Sequence, residues 1–370
     1  MYVSRLSVEN IRGFHGARNV DLDLTRPDGS YAGWTVLAGP NASGKSTLLR
    51  AIALALGAGA GDGCASWLHT GAAEGGVRAG EHRWWLTRTE DGVTEQRSSG
   101  DRGLCASFGP HREDIGEITG WLAEQHLLRL ERRSGAAELL RGITALLDDG
   151  LLPEGHRVAR VDSDGLWVAQ GGAEFPLGEL GDGARAVAAL VLGLVRHAQQ
   201  VDEEAELVVV GEVPTVPVGG VVLIDEAEAH LHLGWQQRLG EWLVAHFPNV
   251  QFIVSTHSPY ICQAADPGGL IRLAGPQEQA PPRILDDDLH QRIVYGSGDD
   301  AALSELFGLG SPYSPQAEAE RRLLIALERK LYAGQASRSE VAEYQELGAK
   351  LNSSLSARVD EVRARQGGDR

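Results

Sequence analysis

A short apolar run that empties into a glycine-rich loop and is followed at once by a helix-forming stretch leaves this chain few architectures. Trp34-Thr35-Val36-Leu37-Ala38 reads as a strand. Gly39-Pro40-Asn41-Ala42-Ser43-Gly44-Lys45-Ser46-Thr47 follows, and residues 48–56 contain no helix breaker. The loop fits the Gly-x4-Gly-Lys-Ser pattern (Walker A), in which glycines let backbone N–H groups close around phosphate and the helix N-terminus adds a favourable dipole. Lys45 is placed to reach the β- and γ-phosphates, and the Ser46 hydroxyl to ligate Mg2+. A chain with 47 glycines can also produce this spacing as a plain turn. The strand before it and the helix after it favour the phosphate loop.

A second apolar run, Val221-Val222-Leu223-Ile224, delivers the adjacent carboxylates Asp225 and Glu226. An acidic pair after a strand is commonly a strand end facing water. Some 180 residues after a phosphate loop, it fits a Walker B pair, with Asp225 assisting the magnesium and Glu226 orienting the attacking water. A third run, Gln251-Phe252-Ile253-Val254, leads into Ser255-Thr256-His257-Ser258-Pro259. His257 at that strand's exit can donate to a γ-phosphate, or it can simply cap the next helix. His230 and His232, spaced i, i+2, do not share a helix face and have no cysteine partners, which argues against a metal site.

Such short β-branched runs are the pattern of central parallel strands covered on both faces. Val3, Leu6, Val8 and Val20, Leu22, Leu24 alternate like half-buried strands, with Pro27-Asp28-Gly29 as a turn. Residues 81–88 read as a strand and 89–103 as polar turn. Residues 115–147 are apolar at helical spacing, 158–168 form a hairpin, and 184–195 and 233–247 are helical. The expected class is α/β, with a mixed sheet, flanking helices, a helical subdomain and a mostly helical C-terminal extension. Residues 274–300 read as a linker in which Asp286-Asp287-Asp288 and Asp299-Asp300 are solvated loops. Residues 301–370 read as helical, with one helix from Pro315 to about Leu331 and another from Ser339 to about Ala364.

The formal charge of −17 argues against a module that holds nucleic acid by charge alone, and it leaves room for a basic partner. No leader peptide and no apolar run of membrane-spanning length is visible, so no membrane role is expected. Three scattered cysteines, Cys64, Cys105 and Cys262, fit a reducing cytoplasm better than a disulfide framework.

Gly39–Thr47, Leu180-Gly181-Asp182-Gly183, Val221–Glu226 and Ser255–Ser258 follow one another as in the ABC-type ATPases of DNA maintenance and defence. The order resembles that of RecF-like, SMC-like and OLD-like AAA-family proteins and of the small stand-alone ATPases of antiphage systems. The opening Leu6-Ser7-Val8-Glu9-Asn10-Ile11-Arg12-Gly13-Phe14 also looks like that group, and Asp225-Glu226-Ala227-Glu228-Ala229-His230-Leu231-His232 looks nearest the OLD-like branch. The resemblance spans residues 1–273 and implies a P-loop NTPase of the ABC-ATPase head type, with the helical subdomain inserted at about 113–200. It implies ATP and Mg2+ as cofactors, and a homodimer with ATP sandwiched head to tail. Gly181, Asp182 and Gly183 are then a signature loop that meets the γ-phosphate held by the other subunit, and Arg185 a further contact across the interface. The family's serine is absent at Gly181, so either backbone N–H groups suffice or turnover is slow. Arg12 is expected near the nucleotide. No glutamine stands in the Q-loop region, where His111 or Arg112 is the candidate substitute.

The function so implied is an ATP-driven switch in DNA metabolism or antiviral defence, coupled to DNA or to an effector nuclease. A transporter-type ATPase subunit and a protein-binding regulatory ATPase are the alternatives.

Overall fold

The computed structural model describes residues 1–26, 28–58, 63–98, 100, 103–110, 114–201, 208–210 and 213–351. Contacts divide the chain into two units, 1–308 and 309–370.

The first unit is built around a six-stranded sheet. Its order is Arg283–Ile284, Leu270–Arg272, Trp34–Ala38, Val250–Thr256, Gly220–Ile224 and Leu104–Phe108. All neighbours are parallel except the first pair. The apolar runs are continuous because both faces are covered. Trp34, Val36, Val222, Ile224, Phe252 and Val254 point into one core, while Leu37, Val221, Leu223 and Ile253 point into another. The first core is closed by helices Ile115–Leu130, Ala136–Asp148, Asp182–Val201 and Leu233–His246. The second holds helix Lys45–Leu56 against a five-stranded antiparallel sheet ordered Val20–Asp23, Arg5–Glu9, Glu74–Ala79, His82–Thr89 and Gly92–Ser98. Leu48, Ile52 and Leu54 of that helix are fully covered, and each such side chain stabilises the fold by about 1.5–3 kcal/mol.

Several expectations need correction. Residues 89–103 are not all turn: Gly92–Ser98 pairs with His82–Thr89 as an exposed edge strand, held by backbone bonds that leave no apolar period. The helical subdomain also carries a three-stranded sheet, His156–Asp162, Gly165–Gln170 and Ala173–Pro176. The stretch 274–300 is no simple linker, since Leu285 and Ile293 are buried in the first core. Its acidic runs start helices. Asp286 accepts from the Leu289 N–H at the head of Asp287–Val294, and Ser297 and Asp300 form a capping box for Gly298–Leu303.

In the second unit Ser314 caps helix Pro315–Tyr332, and residues 338–351 are helical. Lys330–Glu340 and Lys350–Glu320 ion pairs join the two. The remainder of the expected last helix lies outside the described residues, as do His111 and Arg112. Among the described residues no helix is long and apolar enough to cross a membrane.

Candidate functional site

Register assembles the site. In the central sheet Ile224 pairs with Val254 and Thr256 with Ala38, so the next residues along each strand emerge together at the carboxyl edge. Asp225 thereby meets Ser255, and the phosphate loop starts beside His257. Open α/β sheets bind their ligands at this edge.

The loop needs its glycines. Gly39 has φ 155°, and a Cβ there would stand 2.4 Å from the Leu273 carbonyl oxygen. Gly44, with φ 102°, leads directly into helix Lys45–Leu56, and a Cβ would come within 2.8 Å of the Phe14 ring. Lys45 is 6% exposed, and its Nζ donates to the carbonyls of Gly39 (2.8 Å) and Pro40 (3.1 Å). Burial pushes its pKa down, opposed by the charges of Glu228, Asp225 and Glu226 in that order.

Ser46 Oγ donates to Asp225 Oδ1 at 2.8 Å, and Ser255 Oγ donates to the same oxygen at 2.6 Å. Ser255 Oγ also accepts the Glu226 N–H at 2.9 Å, so one hydroxyl sets both acidic residues. Glu226 is half-buried and turns out of the strand with φ 50°. A serine hydroxyl beside a carboxylate is the hard-oxygen donor set that Mg2+ takes, and these residues fit that ion. Among the described residues no cluster of three or more His, Cys, Asp and Glu is arranged to hold a metal by itself.

His257 is exposed at the strand's exit. The cap of helix Pro259–Gln263 is Ser258, whose Oγ accepts from the Tyr260 N–H, so His257 is not the capping residue. Beside the loop lies an open cleft of about 280 Å³, lined by residues including Gly13, His15, Arg18, Thr47 and Gln279. Arg12 is not among its lining residues. Its guanidinium lies 3.9 Å over the Trp67 ring, on the antiparallel lobe.

The expected signature segment packs against the turn that follows the acidic strand. Gly181 is exposed, Asp182 opens helix Asp182–Val201, and Gly183 lets the His230 carbonyl approach to 3.1 Å of where a Cβ would be. Arg185 is held within its own segment by Asp182 Oδ1 (2.6 Å) and the Gly178 carbonyl (3.3 Å). His232 caps helix Leu233–His246 through its Nδ1.

Three contributors escaped the sequence reading. Arg18, 8% exposed, donates to the carbonyls of Gly275 (2.5 Å), Ser43 (3.0 Å), Ala274 (3.1 Å) and Glu278 (3.3 Å). It thus pins the phosphate loop to the segment after strand Leu270–Arg272. Ser255 became legible only through strand register. Glu228 was visible in the Asp-Glu-x-Glu spacing, yet nothing in that spacing gives its partners.

Residues 131–263 match a family model described as "AAA domain, putative AbiEii toxin, Type IV TA system", and residues 5–78 match one described as "AAA domain". The chain is 34% identical over 105 residues to the "Retron Vc95 probable ATPase" of Vibrio cholerae serotype O1 biovar El Tor, covering 28% of this chain and 19% of that protein. It is 28% identical over 191 residues to "Septu protein PtuA" of Bacillus thuringiensis, covering 50% and 46% respectively. The chain thus spans less than half the length of these curated relatives. An SMC head, solved bound to the C-winged helix domain of ScpA, shares the fold at 17% identity and TM-score 0.50, over 77% of this chain and 98% of that one. Two AAA-domain models thus match separate parts of the chain, its fold is that of an SMC head, and its sequence is similar to retron and Septu ATPases over part of their length.

Proposed function

We propose that this chain binds and hydrolyses ATP, and that a second copy completes the site head to tail. The observation that carries the reading is the line from Ser46 through Asp225 and Ser255 to the Glu226 backbone, which ties the phosphate loop to both acidic residues within hydrogen-bond distance. Lys45, parked on two loop carbonyls, is positioned to exchange them for β- and γ-phosphate oxygens, a charge-assisted replacement for two neutral acceptors. Ser46 and Asp225 would hold Mg2+, which neutralises developing charge on the phosphates. Glu226, half-buried at the edge of the sheet, orients the attacking water, and His257 faces the terminal phosphate. The cleft beside Thr47 offers room for the ribose and base.

The dimer reading is supported by the exposure of Gly181 and Asp182 at the head of helix Asp182–Val201, where a second copy could meet them. Closure on ATP and opening after hydrolysis then form a two-state switch whose bias is the differential affinity for ATP. The retron and Septu relatives favour antiphage defence as the setting, with an effector nuclease or DNA as the coupled partner and cytoplasm as the compartment.

Phosphate release by purified protein with Mg2+ and ATP tests the chemistry. Glu226→Gln should lower kcat by about 10²–10⁴, the usual worth of a positioned acid–base group, while ATP still binds. Wild-type turnover in E226Q would remove Glu226 from this role, and absence of ATP binding by the wild type would overturn the reading.

A further inference from the structure

A third carboxylate stands behind the two already assigned. Glu228 is half-buried, and both of its oxygens are engaged by one loop. Oε2 accepts from Thr256 Oγ1 at 2.6 Å, and Oε1 accepts the His257 backbone N–H at 2.6 Å. Bonds to an ionised acceptor at this length are the strong kind. The network continues: Ser258 N–H donates to Thr256 Oγ1 (2.9 Å), Ser258 Oγ to Gln236 Oε1 (2.6 Å), and Gln236 Nε2 to the Leu231 carbonyl (2.9 Å). It therefore closes on the segment that carries Glu228. Gln236 sits in the first turns of helix Leu233–His246, whose Leu239, Trp242 and Leu243 are buried in the first core.

We propose that Glu228 is a positioning residue for hydrolysis, clamping the backbone of His257 to the exit of the acidic strand so that the histidine stays aimed at the terminal phosphate. The assignment rests on the ATP-hydrolysis reading above. A carboxylate is a costly choice for a merely structural clamp, because a fixed negative charge beside Asp225 and Glu226 opposes the arrival of phosphate. A neutral amide would avoid that repulsion, but it offers only one acceptor oxygen to these two donors. Through Ser258 and Gln236, the same clamp joins the histidine loop to a helix anchored in the core, so displacement of His257 by phosphate is passed to that helix.

The test is steady-state turnover with Mg2+ and ATP, alongside calorimetric titration with a non-hydrolysable ATP analogue. The variants are E228A, E228Q, T256V, H257A and E228A/H257A in the full chain. E228A should lower kcat at least about tenfold, since misplacing a reacting group by about an ångström costs up to about a hundredfold. Its analogue affinity should stay within about threefold of the wild type. E228Q, which keeps one acceptor oxygen, should recover part of the loss. T256V, which removes one hydroxyl with little change of shape, should shift kcat in the same direction by less. Because Glu228 acts through His257, adding E228A to H257A should lower kcat no further. Wild-type kcat in both E228A and T256V overturns the assignment, as does a full additional loss in the double variant. Either result leaves ATP hydrolysis by the wild type intact, whereas a wild type that neither binds nor hydrolyses ATP removes the clamp and the underlying reading together.

Discussion

Replacing Arg18 by alanine should loosen the phosphate loop more than any change on its exposed face. The guanidinium is 8% exposed and serves four carbonyls, three of them at 3.1 Å or less. Leaving a buried acceptor unsatisfied costs about 1–3 kcal/mol. Arg18 lines an open cleft through which water can reach the vacated carbonyls, so the lower end of that range applies to each. Three acceptors at about 1 kcal/mol each give a loss of about 3 kcal/mol. For a unit of 308 residues that corresponds to a fall in Tm of roughly 4–5 °C. Arg18→Lys keeps the charge and can reach one or two of the carbonyls, so about half the loss should return. Calorimetric melting gives the stability, and analogue titration should show affinity weakened about tenfold, because the Ser43 carbonyl is no longer pinned; that factor corresponds to 1.4 kcal/mol. A Tm within about 2 °C of the wild type together with unchanged affinity would refute the argument that this one side chain organises the loop.

Lys45→Ala should abolish measurable analogue binding without lowering Tm, because burial already disfavours the charged amine; near-normal affinity would mean that Gly39–Thr47 is not the phosphate site. Burial lowers the Lys45 pKa and bound phosphate raises it, so ATP should bind with proton uptake between those two values. Titrations in buffers of different ionisation enthalpy, repeated at pH values stepping down from the ordinary lysine value of 10.5, measure that uptake, and buffer-independent heats throughout would contradict it. Ser255→Ala takes the shared hydroxyl from Asp225 and the Glu226 N–H, and should cost about 1–2 kcal/mol of stability and lower kcat, as denaturant titration and phosphate release would show. Deleting residues 309–370, a separate unit by its contacts, should leave analogue affinity unchanged; loss of binding would make that unit part of the nucleotide fold.

Three of the central sheet's six strands, Trp34–Ala38, Gly220–Ile224 and Val250–Thr256, were legible because they are buried on both faces and read as unbroken apolar runs, whereas Leu104–Phe108, Leu270–Arg272 and Arg283–Ile284 were not read as strands. The glycine loop 39–47 and the acidic pair Asp225-Glu226 stood out by their spacing, and the structure joins them through the Ser46–Asp225 hydrogen bond. Strand Gly92–Ser98 was hidden because an exposed edge strand needs no apolar period. Arg18 was hidden for another reason: its partners are carbonyls, four of which no sequence pattern marks, three of them some 257 residues away. Ser255 needed the register between strands Gly220–Ile224 and Val250–Thr256, which local sequence does not state. The acidic runs after residue 285 misled because aspartates suit both loops and helix starts, and only the buried Ile293 and Ala301 decide between them.

Light scattering of Glu226→Gln with Mg2+ and ATP addresses the proposal of a shared, ATP-closed site most directly. Removing the water-orienting carboxylate while keeping Lys45, Ser46 and Asp225 should trap the closed state, so ATP should give a particle of twice the mass of one chain that falls back when ATP is withdrawn. A single-chain mass at micromolar protein, with ATP demonstrably bound, would contradict the account.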